Sequence, residues 1–215
     1  MAQIFPRWTN KIPLIAALFI IFFALTAIAF VWYFGSPRYT DVGYRPQQPI
    51  PFSHKLHTGD LGMDCRYCHY NIERSPVANL PPTSVCLNCH NIIGTANEKL
   101  APLRHSWAEK RPIPWVRVHK TPDYAYFNHA VHLNAGIGCS SCHGRIDRMD
   151  KVRQDQPLSM SWCLDCHRNP DPHRRPIDKI TDMDWTPASL TNGSFSPESE
   201  SKQVNPPTDC TGCHR

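Results

Sequence analysis

Cysteine occurs nowhere in this 215-residue chain outside one short repeated motif, so none remains for a disulfide. Charge of one sign is not gathered in blocks, because 23 Lys and Arg against 18 Asp and Glu give a net charge of +5 that is spread along the sequence. Without a basic helix or an interleaved aromatic platform, nucleic-acid binding has no support. Regular aliphatic segments are also scarce, with 21 prolines, 10 glycines and a mean hydropathy of −0.43.

All ten cysteines belong to five copies of Cys-x-x-Cys-His, at residues 65–69, 86–90, 139–143, 163–167 and 210–214. The two thiols of this motif form thioether bonds to haem vinyl groups, and the adjacent histidine is the proximal iron ligand. One copy could be half of a zinc site, but five copies with no cysteine left over predict five covalently attached c-type haems. The haem-attaching residues are then Cys65, Cys68, Cys86, Cys89, Cys139, Cys142, Cys163, Cys166, Cys210 and Cys213. The proximal iron ligands are His69, His90, His143, His167 and His214.

The expected fold is that of a multihaem c-type cytochrome, mostly irregular, with short helices wrapped around five covalent haems and one N-terminal transmembrane helix. The haems supply the apolar surface that the sequence lacks. Sheet is expected to be minimal, although residues 113–120 alternate enough to predict an extended, strand-like segment. Thr95-Ala96-Asn97-Glu98 predicts a capping box at the start of a short helix.

The one long apolar run is residues 12–34, whose 23 uncharged residues would form a helix about 34 Å long, enough for a hydrocarbon core of about 30 Å. Arg7 and Lys11 precede the run and orient the short N-terminus to the cytoplasm. A cleaved signal peptide is the alternative, since Ala27-Ile28-Ala29 resembles a cleavage site, but the run is too long for a signal core. We expect a single-pass anchor in the bacterial inner membrane, with the haem domain on the periplasmic side.

The predicted organisation is a cytoplasmic N-terminus (1–11), a transmembrane anchor (12–34), a linker (35–50) and a pentahaem domain (51–215). Within this domain the chain repeats itself: Phe52-Ser53-His54-x-x-His57 precedes one haem motif, and Phe127-Asn128-His129-x-x-His132 precedes another. The repeat predicts two dihaem units, about 52–93 and 127–170, with a fifth haem motif at 210–214. Residues 176–209 are expected to form a surface arm that delivers this last motif.

Seven histidines remain as candidates for the second, distal iron ligand. His54, His57, His129 and His132 are the strongest, because a pair at i, i+3 can serve two adjacent haems. The first histidine of each pair is expected over its own downstream haem, and the second over a neighbouring haem. The weaker histidine candidates are His119 and His173, whereas His105 is expected on a helix surface. Met160 is a further candidate, and its thioether would raise the potential of the haem that it binds.

Residues 51–57 (PFSHKLH), 113–120 (IPWVRVHK), 127–132 (FNHAVH) and 163–168 (CLDCHR) resemble the pentahaem cytochrome c subunit of bacterial alternative complex III. The resemblance implies that His54, His57, His119, His129 and His132 belong to the haem-ligating set. It also implies a relay inside a membrane complex that oxidises quinol. The implied partners are an iron–sulfur/molybdopterin-like subunit, a monohaem cytochrome c, quinol-binding membrane subunits and a periplasmic cytochrome c or terminal oxidase as acceptor.

Haems with two strong protein ligands have no open position for substrate, which favours electron transfer over catalysis by this chain alone. Two other functions stay open. The first is a membrane-anchored multihaem quinol dehydrogenase acting alone, although residues 12–34 carry no ionisable group for quinol protons. The second is a nitrite- or hydroxylamine-type pentahaem enzyme, although none of the five motifs has Lys in place of the proximal histidine.

Overall fold

The computed structural model describes residues 4–35, 41–186 and 204–214. The chain divides into two compact units, Met1–Val42 and Gly43–Arg215. Most of the expected surface arm, residues 187–203, lies outside the described residues, as do residues 36–40 of the expected linker.

The first unit contains one long helix. A short 3₁₀ helix, Arg7–Lys11, leads into α1, Ile12–Phe34, and Pro13 lies in the first turn of α1, where a missing N–H leaves no hydrogen bond unmade. None of the side chains of α1 is buried, and the helix is apolar on all sides. Among the described residues, Arg7–Phe34 is long and apolar enough to cross a membrane. The predicted helix is therefore confirmed, and it could anchor the chain in a membrane.

The second unit is built from short helices and irregular chain. Its α-helices are α2 (Cys65–Cys68), α3 (Thr83–His90), α4 (Ala101–Glu109), α5 (His129–Asn134), α6 (Cys139–His143), α7 (Met160–Arg168) and α8 (Cys210–Cys213). A π-helical turn spans Lys55–Asp60, and 3₁₀ turns span Glu98–Leu100, Ile146–Arg148, Asp171–His173 and Ile177–Lys179. The described residues contain no strand, only the isolated bridges Ala125–His214 and Ile137–Arg174. The prediction of short helices with minimal sheet is confirmed.

Local capping side chains fix where several haem-motif helices begin. The side chains of Asp64, Ser159 and Asp209 accept hydrogen bonds from backbone N–H groups in the first turns of α2, α7 and α8. These bonds satisfy backbone donors that the start of a helix leaves free. Each of these motifs is thus held in helical form by the residue just before its helix.

The apolar core is small. Among the described residues, seven hydrophobic side chains are buried: Ile50, Leu87, Leu103, Val118, Leu133, Met149 and Ile180. Three of them, Ile50, Leu87 and Leu103, form a cluster against which Cys86 and Trp115 pack. Large apolar side chains such as Ile92 and Val131 are 83% and 61% exposed. A domain of this length with so small a core leaves apolar surface for a bulky cofactor to cover.

Candidate haem centres

Each Cys-x-x-Cys-His motif folds as one helical turn, which places both thiols on one side of the helix because residues i and i+3 are neighbours there. The histidine follows directly, and the N–H groups of His69 and His214 still bond to the carbonyls of Cys65 and Cys210, at 2.9 and 2.8 Å. All ten cysteines have free thiols, so they form no disulfides. Two thiols and an imidazole are therefore offered together at every motif.

Four of the five proximal histidines are oriented by a backbone carbonyl that lies against Nδ1. The acceptors and the distances from Nδ1 are Asn79 O for His69 (2.7 Å), Ile93 O for His90 (3.1 Å), Pro207 O for His167 (2.7 Å) and Tyr124 O for His214 (3.0 Å). A carbonyl can only accept, so Nδ1 carries the proton and donates. Nε2 is then left with its lone pair for a metal. This is the tautomer that a haem iron requires of its ligand.

Two pairs of histidine rings have the spacing of ligands on opposite faces of one iron. The ring centres of His57 and His90 are 6.2 Å apart, and those of His132 and His167 are 6.1 Å apart. An imidazole nitrogen lies roughly 2 Å from a first-row metal, so two rings that share one ion have their centres about 6 Å apart. Each of these two distal candidates therefore lies beside the second motif of its own half.

The two histidine segments repeat one another in local geometry. The Phe52 ring is edge-on to His54 at 4.9 Å and stacked on His57 at 4.4 Å, and Phe127 contacts His129 and His132 at 4.7 and 4.4 Å. Nδ1 of His57 donates to Ser53 O at 2.8 Å, and Nδ1 of His132 donates to Asn128 O at 2.7 Å. The second histidine of each pair thus keeps Nε2 free, like the proximal ligands.

The first histidine of each pair lies in a group of imidazoles between the two halves. Burial, with His69 as the next cause, lowers the pKa of His54 to about 4. The pKa of His129 is lowered by the same two influences, and Nδ1 of His129 donates to Pro76 O at 3.0 Å. Within the described chain, the buried Nδ1 of His54 has no hydrogen-bond partner. These rings are held neutral, which is the form that binds a metal.

His143 and His119 are in direct contact. Their ring centres are 4.3 Å apart, and Nδ1 of His143 lies 3.3 Å from Nε2 of His119. Burial and then His119 lower the pKa of His143 to about 3, and burial also lowers the pKa of His119. This spacing is too short for an iron between the two rings. The structure therefore brings His119 to the motif at 139–143, and its role as a distal ligand stays a prediction.

The remaining candidates lie at the surface. Met160 is the first residue of α7 and is 62% exposed. His173 is exposed in the 3₁₀ turn Asp171–His173, so a ligand role for either residue stays a prediction. His105 is exposed on α4 and lies 3.2 Å from Glu109, in agreement with its expected surface position.

Sequence reasoning missed Arg175, which fixes the start of α6. Its guanidinium donates to Ser140 Oγ at 3.0 Å and to Asp182 O at 2.9 Å, and it packs against Gly138. Desolvation lowers its pKa, although an arginine remains charged. In the described structure, the buried Nε of Arg175 has no hydrogen-bond partner. The only sign of this packing in the sequence is the pair of glycines at 136 and 138. The absence of a Cβ leaves room for the Arg175 backbone at Gly136 and for the Arg175 side chain at Gly138.

The residues present fit covalently attached haem. Nε2 stays free in the carbonyl-bonded proximal imidazoles, the apolar core is small, and two ring pairs have the separation that one iron requires. Residues 125–215 match the family described as "Cytochrome c7 and related cytochrome c". This segment contains three of the five motifs and is that of a multihaem c-type cytochrome.

A curated relative is similar over most of its length. It is the "Menaquinone reductase, multiheme cytochrome c subunit" of Nitratidesulfovibrio vulgaris, 29% identical over 170 residues, with 69% of this chain and 80% of the relative covered. The similarity includes more of the chain than the matched family segment does.

Proposed function

We propose that this chain relays electrons through five c-type haems within a membrane-bound, quinol-oxidising complex. The electrons would come from an iron–sulfur subunit and go towards a periplasmic cytochrome c or a terminal oxidase. The observation that carries the proposal is the pairing of His57 with His90 and of His132 with His167, at ring separations of 6.2 and 6.1 Å. When bound, haem iron cycles between its ferric and ferrous states by one electron. Two protein imidazoles on an iron leave no coordination site for a substrate.

The chain's own residues position the cofactors and limit their chemistry. The backbone carbonyls of Asn79, Ile93, Pro207 and Tyr124 hold the proximal rings in one tautomer. The helix α1 contains no Asp, Glu, His, Lys or Arg that could take up quinol protons, so the quinol site belongs to a partner subunit. In this proposal the chain is an electron-transfer subunit and not an enzyme by itself.

Further parts of the proposal are supported by similarity. The relative is named as a subunit of a menaquinone reductase. The motifs of this chain resemble the pentahaem subunit of alternative complex III. We therefore propose an iron–sulfur/molybdopterin-like subunit, a monohaem cytochrome c and quinol-binding membrane subunits as partners. The haem domain would lie on the periplasmic side of the inner membrane, because c-type haem is attached outside the cytoplasm.

The test uses the full chain produced with its haems attached and purified in detergent. We expect five haems per chain by pyridine haemochrome assay and only low-spin ferric signals in the paramagnetic resonance spectrum. Cyanide and nitrite should leave these signals unchanged. The chain alone should be reduced by a small reductant but should not turn over quinol, whereas the complex isolated with its partners should.

Two outcomes would overturn the proposal in favour of a named alternative. A high-spin haem that binds nitrite would indicate a nitrite- or hydroxylamine-type enzyme. Sustained quinol oxidation by the chain without partners would indicate a self-sufficient quinol dehydrogenase.

A further inference from the structure

The two repeats contact each other reciprocally. Lys55 and Ala130 each follow the first histidine of a pair, and Met149 and Ser75 are each the tenth residue after the first cysteine of a motif. The Lys55 N–H donates to Met149 O at 3.1 Å, and the Ala130 N–H donates to Ser75 O at 3.3 Å. Equivalent residues of the two repeats thus make the same bond in opposite directions, which defines an approximate twofold relation between the halves.

Neighbouring contacts follow the same relation. Ser53 Oγ donates to the Asp150 carboxylate at 2.8 Å, and the His129 N–H donates to Pro76 O at 3.1 Å. Asp150 and Pro76 are each the eleventh residue after the first cysteine of their motif. The histidine segment of each half therefore packs on the loop that follows the first haem motif of the other half.

The first motifs of the two halves meet at this shared face. Residues 180 and 181 join them, because the Cys139 N–H donates to Ile180 O at 3.0 Å and Thr181 Oγ1 donates to the Asp64 carboxylate, which caps α2, at 3.0 Å. Gly59, in the first half, approaches the Asp147 carbonyl so closely that a Cβ would overlap it. The motifs at 65–69 and 139–143 therefore form the centre of the haem domain.

The second motif of each half lies beside the first. In the first half, Asn88 Nδ2 donates to the Tyr67 hydroxyl at 3.0 Å, which joins α3 to α2. In the second half, the ring of His132 lies 6.1 Å from that of His167, and the His132 carbonyl accepts from the Ile137 N–H, just before α6, at 3.0 Å. The motif at 86–90 thus neighbours 65–69, and the motif at 163–167 neighbours 139–143.

The fifth motif lies beside the fourth. Nδ1 of His167 donates to Pro207 O at 2.7 Å, and the side chain of Pro207 packs against Gly212 within α8. The motif at 210–214 therefore extends the row at the end opposite to 86–90.

Exposure of the thiols separates the ends from the centre. All ten cysteines lie in the described part of the chain, and only Cys89 and Cys210 are exposed. They belong to the motifs at 86–90 and 210–214. Solvent, and with it a docking partner, reaches the thioether positions most readily at these two motifs.

We propose that the haems lie in the order 86–90, 65–69, 139–143, 163–167 and 210–214, so that the first two motifs are exchanged relative to the sequence. Electrons enter or leave at the two end haems, and the central pair connects the two repeats. This order depends on the proposed function, because it requires that all five motifs carry haem.

The test compares His57→Met with His132→Met in the full haem-loaded chain, by redox titration followed by paramagnetic resonance. Methionine raises the potential of the haem that each histidine faces, so this haem is reduced first. The electron on this haem repels an electron entering a neighbouring haem, which lowers the potential of that neighbour. Because this repulsion weakens with distance, only adjacent haems shift measurably. We expect one other haem to shift in His57→Met, where the altered haem is at the end, and two in His132→Met.

Two shifted neighbours in His57→Met would overturn the order, because the haem at 86–90 would then have a haem on each side. A cryo-electron microscopy map of the wild-type chain gives the same answer if either variant fails to load haem. In that map the nearest iron to the one at 86–90 should be the one at 65–69, and the nearest to 210–214 should be the one at 163–167. Five six-coordinate haems in another order would overturn this inference alone, whereas fewer haems or an open iron would overturn the proposed function.

Discussion

At the residue scale, the two ring pairs separate the candidate ligand histidines from surface histidines. His57 faces His90 with the ring centres 6.2 Å apart, and Phe52 and Ser53 hold its orientation. His105 is exposed and contacts Glu109 on its own helix. The two residues have the same side chain and opposite surroundings, which makes them a matched pair for substitution.

We predict that His57→Ala converts one haem of the five from low spin to high spin, because alanine leaves one face of its iron without a protein ligand. Paramagnetic resonance of the oxidised protein should show a new high-spin signal, and that haem alone should bind cyanide. His105→Ala should leave the spectrum unchanged. An unaltered low-spin spectrum in His57→Ala would show that His57 is not a ligand.

Asp64 carries an acid-sensitive part of the stability. Its carboxylate caps α2, bonds to Arg66 at 2.9 Å and accepts from Thr181 Oγ1 at 3.0 Å. The hydrogen bond from Arg66 is the largest cause that lowers the pKa of Asp64, from 3.8 to about 2. Because the folded state depresses this pKa, the stabilisation is complete above about pH 4 and is lost as the pH falls towards 2.

We predict that Asp64→Asn lowers the free energy of unfolding at pH 7 by about 1 kcal/mol or less, since the side chain is 42% exposed and solvent screens its ion pair. Denaturant titrations should show this difference shrinking between pH 4 and pH 2. Asp123→Asn, at an exposed position, is the control. A difference that stays constant down to pH 2 would contradict the ionic origin.

The distal ligand candidates could be predicted from the sequence because their signal is local. A histidine pair at i, i+3 on one turn places His57 and His132 alike, and the repeat supplies both copies. Arg175 could not be predicted, because its role comes from the packing of residues 174–182 on α6, far along the chain. The burial of Arg174, Arg175 and Ile180 likewise shows that this stretch is part of the core, although the surface arm was expected to begin at residue 176.

At the element scale, the expected strand at 113–120 is the clearest difference between sequence and structure. The backbone N–H of Val116 donates to Gln48 Oε1 at 2.9 Å, and Gln48 Nε2 donates to Val116 O at 2.8 Å. One glutamine side chain thus replaces the neighbouring strand that the alternating pattern suggests. The expected capping box also differs, since Asn97 rather than Thr95 caps its helix by accepting from Lys99 N–H. For α1, in contrast, the predicted bounds agree with the structure, because the helix begins and ends where the apolar run does, at residues 12 and 34.

The repeated glycines before the first motif of each half differ in their surroundings. Gly62 and Gly136 both have positive φ, +67° and +83°. A Cβ at Gly62 would meet nothing within 4 Å, whereas one at Gly136 would lie 2.5 Å from the Arg175 carbonyl. The same turn is therefore open in one repeat and closely packed in the other.

We predict that Gly62→Ala costs about 1 kcal/mol, the strain of a left-handed backbone for a residue with a Cβ. Gly136→Ala should cost roughly 1–3 kcal/mol more, because the Arg175 backbone must also shift. Thermal unfolding of the haem-loaded variants gives the comparison. Equal losses in the two variants would show that the contact with Arg175 contributes nothing.

At the scale of the whole molecule, the two repeats are one structure. Each half binds the other through equivalent backbone bonds, from Lys55 to Met149 and from Ala130 to Ser75. Gly43–Arg215 is accordingly a single compact unit. The sequence repeat predicted two dihaem units, and the reciprocal bonds explain how such units can share one interior.

The N-terminal unit, Met1–Val42, is compact by itself, and α1 within it has no buried side chain. Its 23 apolar residues match the hydrocarbon core in length, so the chain should stay with membranes through an alkaline wash and be released only by detergent. We predict that a chain starting at Gly43 is recovered in the soluble fraction after secretion behind a cleavable leader.

The haem spectrum of the truncated chain should be unchanged, because every ligand candidate lies beyond residue 43. Absorbance and paramagnetic resonance spectra of the truncated and full-length proteins, recorded at equal haem concentration, provide the comparison. A changed spin state after truncation would mean that the anchor supports a haem centre, and retention of the truncated chain on membranes would reveal a second site of attachment within the haem domain.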